Sequence, residues 1–197
     1  MTKDFSLYDN CVMIQLSDEV ISNCETFNCG NADLDDFFLN DAKKYAEELM
    51  GKTYCWITEC KPHKIVALFT LANDSIKTTF LGRSTKNRIN RPIDNQKRGR
   101  SYPATLIGRI GINKEFQGMN VGSQLIRFIK DWFRAEDNKT GCRFLVVDAY
   151  NNNRTLNFYS RNGFKFLHRT EEEEKLYYHI TDNTVSTRLM YLDLKNQ

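Results

Sequence analysis

The chain has 197 residues, of which 41% are hydrophobic and 27% charged, and its net charge is +3. This composition suits one domain with a sizeable core and excludes a disordered or fibrous protein. No apolar run approaches the roughly 20 residues of a membrane-spanning helix, and the first residues, MTKDF, lack the apolar stretch of a signal peptide. We therefore expect a cytoplasmic protein with a single domain over residues 1–197 and no membrane contact.

The N-terminal half is predicted to contain three strands and one long helix. The strands cover residues 11–16, 53–59 and 64–76. Asn31 is a favourable N-cap, and apolar residues at helical spacing extend the helix from there to about Met50. Both faces of the third strand are apolar, which is typical of a central, covered strand.

Basic residues are concentrated in the segment that follows. Eight Lys or Arg residues and a single acid, Asp94, lie between Lys77 and Arg100. Because this segment has few apolar residues and contains Pro92 and Gly99, residues 77–101 are predicted to form a basic surface loop, with or without a helical turn. The loop is either functional or merely a solvated excursion.

Strands and helices alternate in the C-terminal half. We predict a strand at 104–112, a helix to Arg134, a strand at 142–149, a helix at 151–161 and a strand at 164–167, then a final hairpin of residues 176–180 and 187–194 around a turn at 181–183. This order predicts an α/β domain of the α+β type, with a mostly antiparallel mixed sheet and a parallel βαβ core.

The six cysteines are most simply reduced thiols, because no secretory signal precedes them. Two pairs, Cys24 with Cys29 and Cys55 with Cys60, have a C-x4-C spacing that invites a zinc interpretation. The second pair is predicted to lie in a strand, where odd spacing places the side chains on opposite faces. We expect no metal site.

The sequence QGMNVG, residues 117–122, is the clearest indication of a ligand. A turn of small residues between a strand and a helix presents unpaired backbone N–H groups to an anion, most naturally a phosphate. A nucleotide P-loop is excluded because no Lys follows Gly122, and a dinucleotide fold is excluded because the G-x-G-x-x-G spacing is absent. The remaining candidate is the pyrophosphate of coenzyme A.

Two motifs resemble the GCN5-related N-acetyltransferase (GNAT) family. Residues 117–122 are similar to its Q/R-x-x-G-x-G/A signature, with Asn120 in place of a glycine, and residues 152–164 are similar to its N-x-x-A-x-x-F-Y-x-x-x-G-F motif, with Thr155 for Ala. Asn tolerates positive φ better than other non-glycine residues, so the turn can form. The resemblance implies a GNAT-like sheet with helices on both faces, and acetyl-CoA as co-substrate without a metal.

The N-terminal half resembles one branch of this family, the toxin-type acetyltransferases of bacterial toxin–antitoxin pairs. The similarity lies in residues 27–38, FNCGNADLDDFF, and in residues 106–112, LIGRIGI. It implies transfer of acetyl to the α-amine of aminoacyl-tRNA, a homodimer, and an antitoxin protein as partner. The basic segment is compatible with tRNA, because clustered cations attract phosphates regardless of sequence.

The resemblance also assigns roles to individual residues. Tyr159 is the expected catalytic residue. Full proton transfer to the thiolate of coenzyme A is mildly uphill, so we expect a hydrogen bond that becomes a transfer as the product ammonium loses its proton, and a half-buried core aromatic is the alternative role. The residues expected to bind acetyl-CoA are Ile110, Gly111, Ile112, Gln117, Gly118, Met119, Asn120, Val121, Gly122, Ser123, Asn152 and Asn157. Gly111 either allows close backbone approach or spares a packed neighbour, and the two asparagines have helix capping as an alternative role.

No general base is identified by a motif. Asp148 and Glu59 are candidates by residue type only, and His63, His168 and His179 are expected to be surface or strand residues. Three alternatives stay open: an acetyltransferase for small molecules or proteins outside any toxin pair, a non-catalytic module that binds acyl-CoA or RNA, and a basic loop that contacts only a partner protein.

Overall fold

The computed structural model describes residues 5–181 and 184–196. Its helices are α1 (Leu7–Asn10), α2 (Asp18–Asn23), α3 (Ala32–Asp36), α4 (Ala42–Glu47), α5 (Arg83–Asn90), α6 (Val121–Arg134), α7 (Asn153–Arg161) and α8 (Glu171–Tyr178). Its strands are β1 (Cys11–Gln15), β2 (Lys52–Thr58), β3 (Ile65–Lys77), β4 (Ser101–Ile112), β5 (Phe144–Tyr150), β6 (Lys165–Phe166) and β7 (Thr187–Asp193). Within the described residues, no helix is long and apolar enough to cross a membrane.

The chain divides into two compact units. The first unit comprises Met1–Asn73 and Ile107–Asp131, and the second comprises Asp74–Leu106 and Trp132–Gln197. In the first unit the strand order is β1-β2-β3-β4, and β2 pairs antiparallel with both β1 and β3. Residues 65–71 of β3 are all buried, which confirms the predicted central strand.

A helical segment covers this sheet. Asn31 begins α3 as predicted, since its side chain accepts hydrogen bonds from the backbone N–H groups of Asp33 and Leu34 at 3.1 and 3.3 Å. The chain then widens into a π-helical turn at Phe37–Asp41 before α4, which ends slightly earlier than predicted. Its inward side chains join a core cluster with β2 and β3, formed by Phe37, Phe38, Ala42, Cys55, Ile65 and Leu68.

Gly111 allows β4 to pack closely against this segment. A Cβ atom here would lie 3.0 Å from ring carbons of both Phe27 and Phe38. Of the two roles that the sequence leaves open for Gly111, the structure shows the one in which it spares packed neighbours. Nearby on β4, the guanidinium of Arg109 lies 3.6 Å from the ring centroid of Phe37, a cation–π contact with the same segment.

We expect Gly111→Ala to destabilise the protein by about 1–3 kcal/mol, because the added methyl group overpacks two aromatic rings. Gly108→Ala on the same strand is the matched control, since the nearest atom to its Cβ would be a Thr70 oxygen at 3.9 Å, an ordinary contact. Urea unfolding of both variants measures the difference. Equal stability of the two variants would contradict the packing role of Gly111.

The second unit contains the parallel strand pair. β4 pairs parallel with β5 at Ala104–Leu106, and β7 pairs antiparallel with both β5 and β6, giving the order β4-β5-β7-β6. The strand β5 is buried from Phe144 to Val147, as predicted for a parallel strand. The mixed α/β class predicted from the sequence is confirmed.

The basic segment is more ordered and more buried than the predicted surface loop with its optional helical turn. The segment instead contains the eight-residue helix α5, with short 3₁₀ turns at Thr78–Phe80 and Asn95–Lys97. Five of its side chains are buried at intervals of three or four residues, namely Thr78, Leu81, Thr85, Ile89 and Ile93. The pattern escapes a search for apolar residues because two of these positions are threonines.

The first strand of the predicted final hairpin is wrong, whereas its second strand, residues 187–194, is present as β7. Residues 171–178 form the helix α8, which Thr170 caps by accepting a hydrogen bond from the backbone N–H of Glu173 at 3.2 Å. The side chain of Glu173 in turn accepts from the N–H of Arg169 at 2.8 Å. The sequence T-E-E-E therefore carried a capping-box signal, with acidic residues at the positive end of the helix dipole. Asp182 and Asn183 of the predicted turn lie outside the described residues.

Candidate active site

The strand β4 leads into a turn that Asn113 fixes at its start and the helix α6 fixes at its end. The side chain of Asn113 is buried, where it donates to the carbonyl of Ile65 at 3.1 Å and accepts from the N–H of Glu115 at 3.2 Å. A 3₁₀ turn at Lys114–Phe116 follows, and α6 begins at Val121. Four buried side chains of α6 fix its position: Val121, Leu125, Ile126 and Ile129.

Two residues of the turn adopt the left-handed backbone conformation. Gly118 has a φ of 80° and Asn120 a φ of 60°, so Asn120 takes the conformation expected of the glycine it replaces. The N–H groups of Gln117 and Met119 donate to the carbonyls of Lys114 and Phe116. The first N–H groups of α6 lie at the positive end of its dipole and have no partners within the helix, which is the arrangement that binds a phosphate group.

We expect Asn120→Val to cost about 1–2 kcal/mol of stability, because a β-branched residue is strained at positive φ. Asn120→Gly retains the backbone angle and should stay within about 0.5 kcal/mol of the parent. Urea unfolding checks both values, and calorimetry with coenzyme A checks whether the turn still binds. Unchanged stability of Asn120→Val would contradict the left-handed geometry at this position.

The side chain of Gln117 forms hydrogen bonds with two backbone carbonyls of the protein. Its amide nitrogen donates to the carbonyls of Cys29 and Ile112 at 2.8 and 2.9 Å. This connects the turn both to the end of β4 and to the loop before α3. The structure therefore gives the Gln117 side chain a positioning role for the turn, and the cofactor contact that the resemblance implies for Gln117 stays a prediction.

The loop that receives this contact is formed by residues 27–31, FNCGN, which we call the F-x-C-G-N element. Gly30 has a φ of 86°, and a Cβ atom there would lie 2.7 Å from Cε of Lys114. The N–H of Lys114 donates to the carbonyl of Asn28 at 2.9 Å, and the N–H of Cys29 donates to the Asp35 carboxylate at 2.8 Å. The element thus packs against the turn and supports it.

The thiols have no nucleophilic or metal-binding arrangement within the described residues. Burial raises the pKa of Cys29 to about 11 and that of Cys55 to about 12, so both are protonated at neutral pH. Cys60 lies beyond the end of β2 and is exposed, whereas the sequence placed it in the strand. No group of three or more His, Cys, Asp or Glu residues in the described part of the chain could hold a metal ion.

The second candidate motif forms α7 in the second unit. Asn152 caps this helix by accepting from the N–H of Thr155 at 2.9 Å, so the capping role considered for it is present. Asn157 is exposed on the same helix. The helix ends at Asn162 and Gly163, as predicted, and Gly163 has a φ of 94°.

Tyr159 is the buried residue of α7. It is 9% exposed, and its ring makes edge-to-face contacts with Phe158 and Phe164 at centroid distances of 5.0 and 5.3 Å. Burial raises the pKa of the Tyr159 hydroxyl above its ordinary value of 10. The hydroxyl is therefore protonated at neutral pH and can donate a hydrogen bond, whereas its raised pKa makes complete transfer of the proton less favourable.

Of the two candidate general bases, Asp148 and Glu59, we favour Asp148 because its pKa is raised. It is exposed on β5, and its pKa is raised by desolvation and by the neighbouring Asp74. Glu59 follows the end of β2 and is exposed. Of the histidines, His168 is 3% exposed, contrary to the expectation of a surface or strand residue, and its ring contacts that of Tyr177 in a tilted arrangement at a centroid distance of 4.7 Å.

Comparison with known proteins identifies the fold. Residues 86–166 match the acetyltransferase (GNAT) domain model. The tRNA-acetylating toxin of Mycobacterium tuberculosis (strain ATCC 25618 / H37Rv) is 26% identical over 125 residues, 63% of this chain and 68% of the toxin. AtaT complexed with acetyl-methionyl-tRNAfMet has a TM-score of 0.68 at 16% identity, covering 94% of this chain and 96% of that chain. A mutant AtaT toxin bound to the C-terminus of the antitoxin AtaR and acetyl-CoA has a TM-score of 0.61 at 15% identity, covering 95% of each chain.

Residues 86–166 therefore resemble an acetyltransferase (GNAT) domain, and the fold is similar to that of the AtaT toxin structures. The sequence is also similar to a tRNA-acetylating toxin, the branch that residues 27–38 and 106–112 resemble.

Proposed function

We propose that this enzyme transfers the acetyl group of acetyl-CoA to the α-amine of an aminoacyl-tRNA. The observation that carries the proposal is the turn at residues 117–122, where positive φ at Gly118 and Asn120 directs the chain into the start of α6. A diphosphate fits such a turn because backbone N–H groups and a helix dipole converge on it. The similarity to the tRNA-acetylating toxin of Mycobacterium tuberculosis supports the choice of acceptor.

The residues that would hold acetyl-CoA follow from this turn. The N–H groups of Gly118 and Asn120–Ser123 would bind the pyrophosphate, and the backbone of Ile110, Gly111 and Ile112 would bind the pantetheine arm. Met119 would bind the co-substrate as part of the same turn. The side chains of Asn152 and Asn157 would contact the pantetheine arm or its phosphate. When bound, the co-substrate supplies an activated thioester carbonyl.

Tyr159 would act as the general acid of the reaction. The acceptor amine attacks the carbonyl, and the departing thiolate needs a proton. Because burial raises the pKa of the Tyr159 hydroxyl, the hydroxyl would first donate a hydrogen bond to the thiolate, and the proton would transfer as the product ammonium loses its own proton. Asp148 is the group that we propose to receive the proton of the amine, either directly or through water.

The basic segment supports a nucleic-acid acceptor. Two of its arginines serve the fold, since Arg88 donates to the carbonyls of Phe166 and Leu167, and Arg98 donates to those of Asn90 and Ile93. The remaining cations are exposed side chains on or beside α5, namely Lys77, Arg83, Lys86, Arg91, Lys97 and Arg100. Clustered cations of this kind bind a phosphate backbone independently of sequence.

Neutralising Arg83, Lys86 and Arg91 to Ala together should weaken tRNA binding and reduce its salt dependence. Each lost phosphate contact lowers the slope of log K against log salt by about 0.7–0.9. Filter binding over a salt series measures this, with the exposed Lys52→Ala as control. An unchanged slope would favour a contact of this surface with a partner protein.

The decisive experiment follows label from acetyl-CoA. The enzyme is incubated with labelled acetyl-CoA and either charged tRNA or a panel of small amines and peptides. Label on charged tRNA, released as N-acetyl amino acid after deacylation, supports the proposal. Label on small amines or peptides alone would support an acetyltransferase outside any toxin pair.

The proposal extends to partners. We propose that the enzyme acts in the cytoplasm as a homodimer and that an antitoxin protein binds it, because an AtaT toxin of the same fold has been solved with the C-terminus of its antitoxin. Light scattering of the purified protein tests the dimer. Co-purification with the product of the adjacent reading frame tests the antitoxin.

A further inference from the structure

The segment of residues 5–10 is bound to the helix that follows the turn at 117–122. The side chain of Gln124 on α6 makes two hydrogen bonds with its backbone. The amide nitrogen donates to the carbonyl of Phe5 at 2.7 Å, and the amide oxygen accepts from the N–H of Leu7 at 2.8 Å. The side chain of Leu7 is fully buried. One side chain of α6 therefore fixes a segment that lies more than a hundred residues earlier in the sequence.

A second contact joins the same segment to the other end of the turn. The ring of Phe5 packs on the ring of Phe116 in a tilted arrangement, with the two centroids 4.8 Å apart. Phe116 ends the 3₁₀ turn directly before Gln117. The segment thus contacts the chain both before and after the residues that we propose to bind the pyrophosphate, and all of these residues belong to the first unit.

Both contact residues, Phe116 and Gln124, are hydrogen-bonded to the turn itself. The carbonyl of Phe116 accepts from the N–H of Met119 at 3.4 Å, and the N–H of Gln124 donates to the carbonyl of Asn120 at 3.2 Å. A shift of either residue would therefore displace the backbone N–H groups of the turn. Such groups bind an anion well only when they are oriented in advance.

The other end of the segment is bound to a different part of the first unit. The ring of Tyr8 makes an edge-to-face contact with Trp56 of β2 at 5.8 Å, and the carbonyl of Asn10 accepts from the N–H of Glu59 at 3.3 Å. A substitution at Tyr8 therefore perturbs the same segment without removing its contacts with Phe116 or Gln124.

We propose that Phe5 and Gln124 are positioning residues for acetyl-CoA, which hold the turn at 117–122 in the conformation that binds the pyrophosphate. The inference rests on the proposed function and deepens it, because it adds the segment of residues 5–10 to the co-substrate site. Docking of this segment and binding of coenzyme A then favour each other by the same factor.

Calorimetry with coenzyme A tests both positioning residues in the full-length chain. Gln124→Leu removes the two hydrogen bonds and Phe5→Leu removes the ring contact, so each should raise the Kd about tenfold. Phe5→Tyr retains the ring and should bind as the parent does. Tyr8→Leu is the matched control on the same segment and should also bind normally. In steady-state kinetics, the KM for acetyl-CoA should rise in the two weakened variants while kcat stays unchanged.

Amide hydrogen exchange measures the reciprocal effect in the parent protein and needs no substitution. Saturating coenzyme A should slow exchange at the Leu7 N–H about tenfold, because binding favours the docked segment. The N–H of Val20 is the control amide, since it also donates to a side-chain oxygen, that of Ser17 at 3.3 Å. Its exchange rate should not change.

Unchanged affinity of Gln124→Leu and Phe5→Leu for coenzyme A would overturn the positioning role and leave the proposed function intact. A loss confined to Gln124→Leu, with unchanged exchange at Leu7, would also overturn it, because Gln124 would then contact the co-substrate directly. A parent protein that binds no coenzyme A would overturn both proposals. Coupled binding without transfer to charged tRNA would keep the positioning role and remove only the tRNA acceptor.

Discussion

Tyr159→Phe should lower kcat for acetyl transfer by about 10²–10⁴-fold, the usual contribution of a general acid. Phenylalanine keeps the ring contacts with Phe158 and Phe164 and removes only the hydroxyl. The KM for acetyl-CoA and the stability should therefore stay close to those of the parent. Because the raised pKa lies above 10, ionisation of Tyr159 should not reduce kcat until the pH rises beyond that value.

Steady-state kinetics and calorimetry with coenzyme A separate the two effects of this substitution. Tyr8→Phe is the control, because Tyr8 is 51% exposed on α1 and has no role in the proposed reaction. A Tyr159→Phe variant that binds coenzyme A and turns over at the parent rate would overturn the role given to Tyr159.

Arg188→Met should destabilise the protein by about 3–5 kcal/mol, because it leaves a buried carboxylate without its partner. Arg188 and Glu174 are 7% and 2% exposed, and Nε of Arg188 lies 2.5 Å from Oε2 of Glu174. The other oxygen of Glu174 accepts from the N–H of Leu189 at 2.5 Å. The pair thus fixes α8 against β7.

The double variant Glu174→Leu with Arg188→Met should recover a large part of this loss, since no charge then remains buried. The exposed pair Lys44 with Asp41 is the control, and its removal should cost less than about 1 kcal/mol. Urea unfolding measures all variants. A loss below 1 kcal/mol for Arg188→Met would show that solvent reaches the pair.

The turn was predictable from sequence because its chemistry is local. Gly118 and Asn120 are residues that tolerate positive φ, and the apolar spacing of α6 follows directly after them. The same holds for Asn31 and Gly163, which begin and end their helices through contacts with close neighbours. Local backbone requirements leave a clear pattern in a single sequence.

Features that depend on distant neighbours were not predictable. Thr78 and Thr85 read as polar surface residues, yet they occupy inward positions of the segment around α5. No local pattern indicates that the side-chain amide of Gln117 donates to Cys29, which lies far away in the sequence. The π-helical turn at Phe37–Asp41 likewise has no periodic signal in the sequence. The capping box of α8 is visible in the sequence, but the apolar residues at 176–180 were interpreted as a strand.

The packing of α5 changes the thermodynamics expected for binding a polyanion. A mobile basic loop loses about 1–2 kcal/mol of backbone entropy for each residue that becomes ordered on binding. Here the segment is ordered in advance, because Thr78 bonds to Gly99, Arg88 holds the β6 carbonyls and Tyr102 donates to Asn90. Association should therefore proceed with a small heat-capacity change and with counterion release as its main driving force.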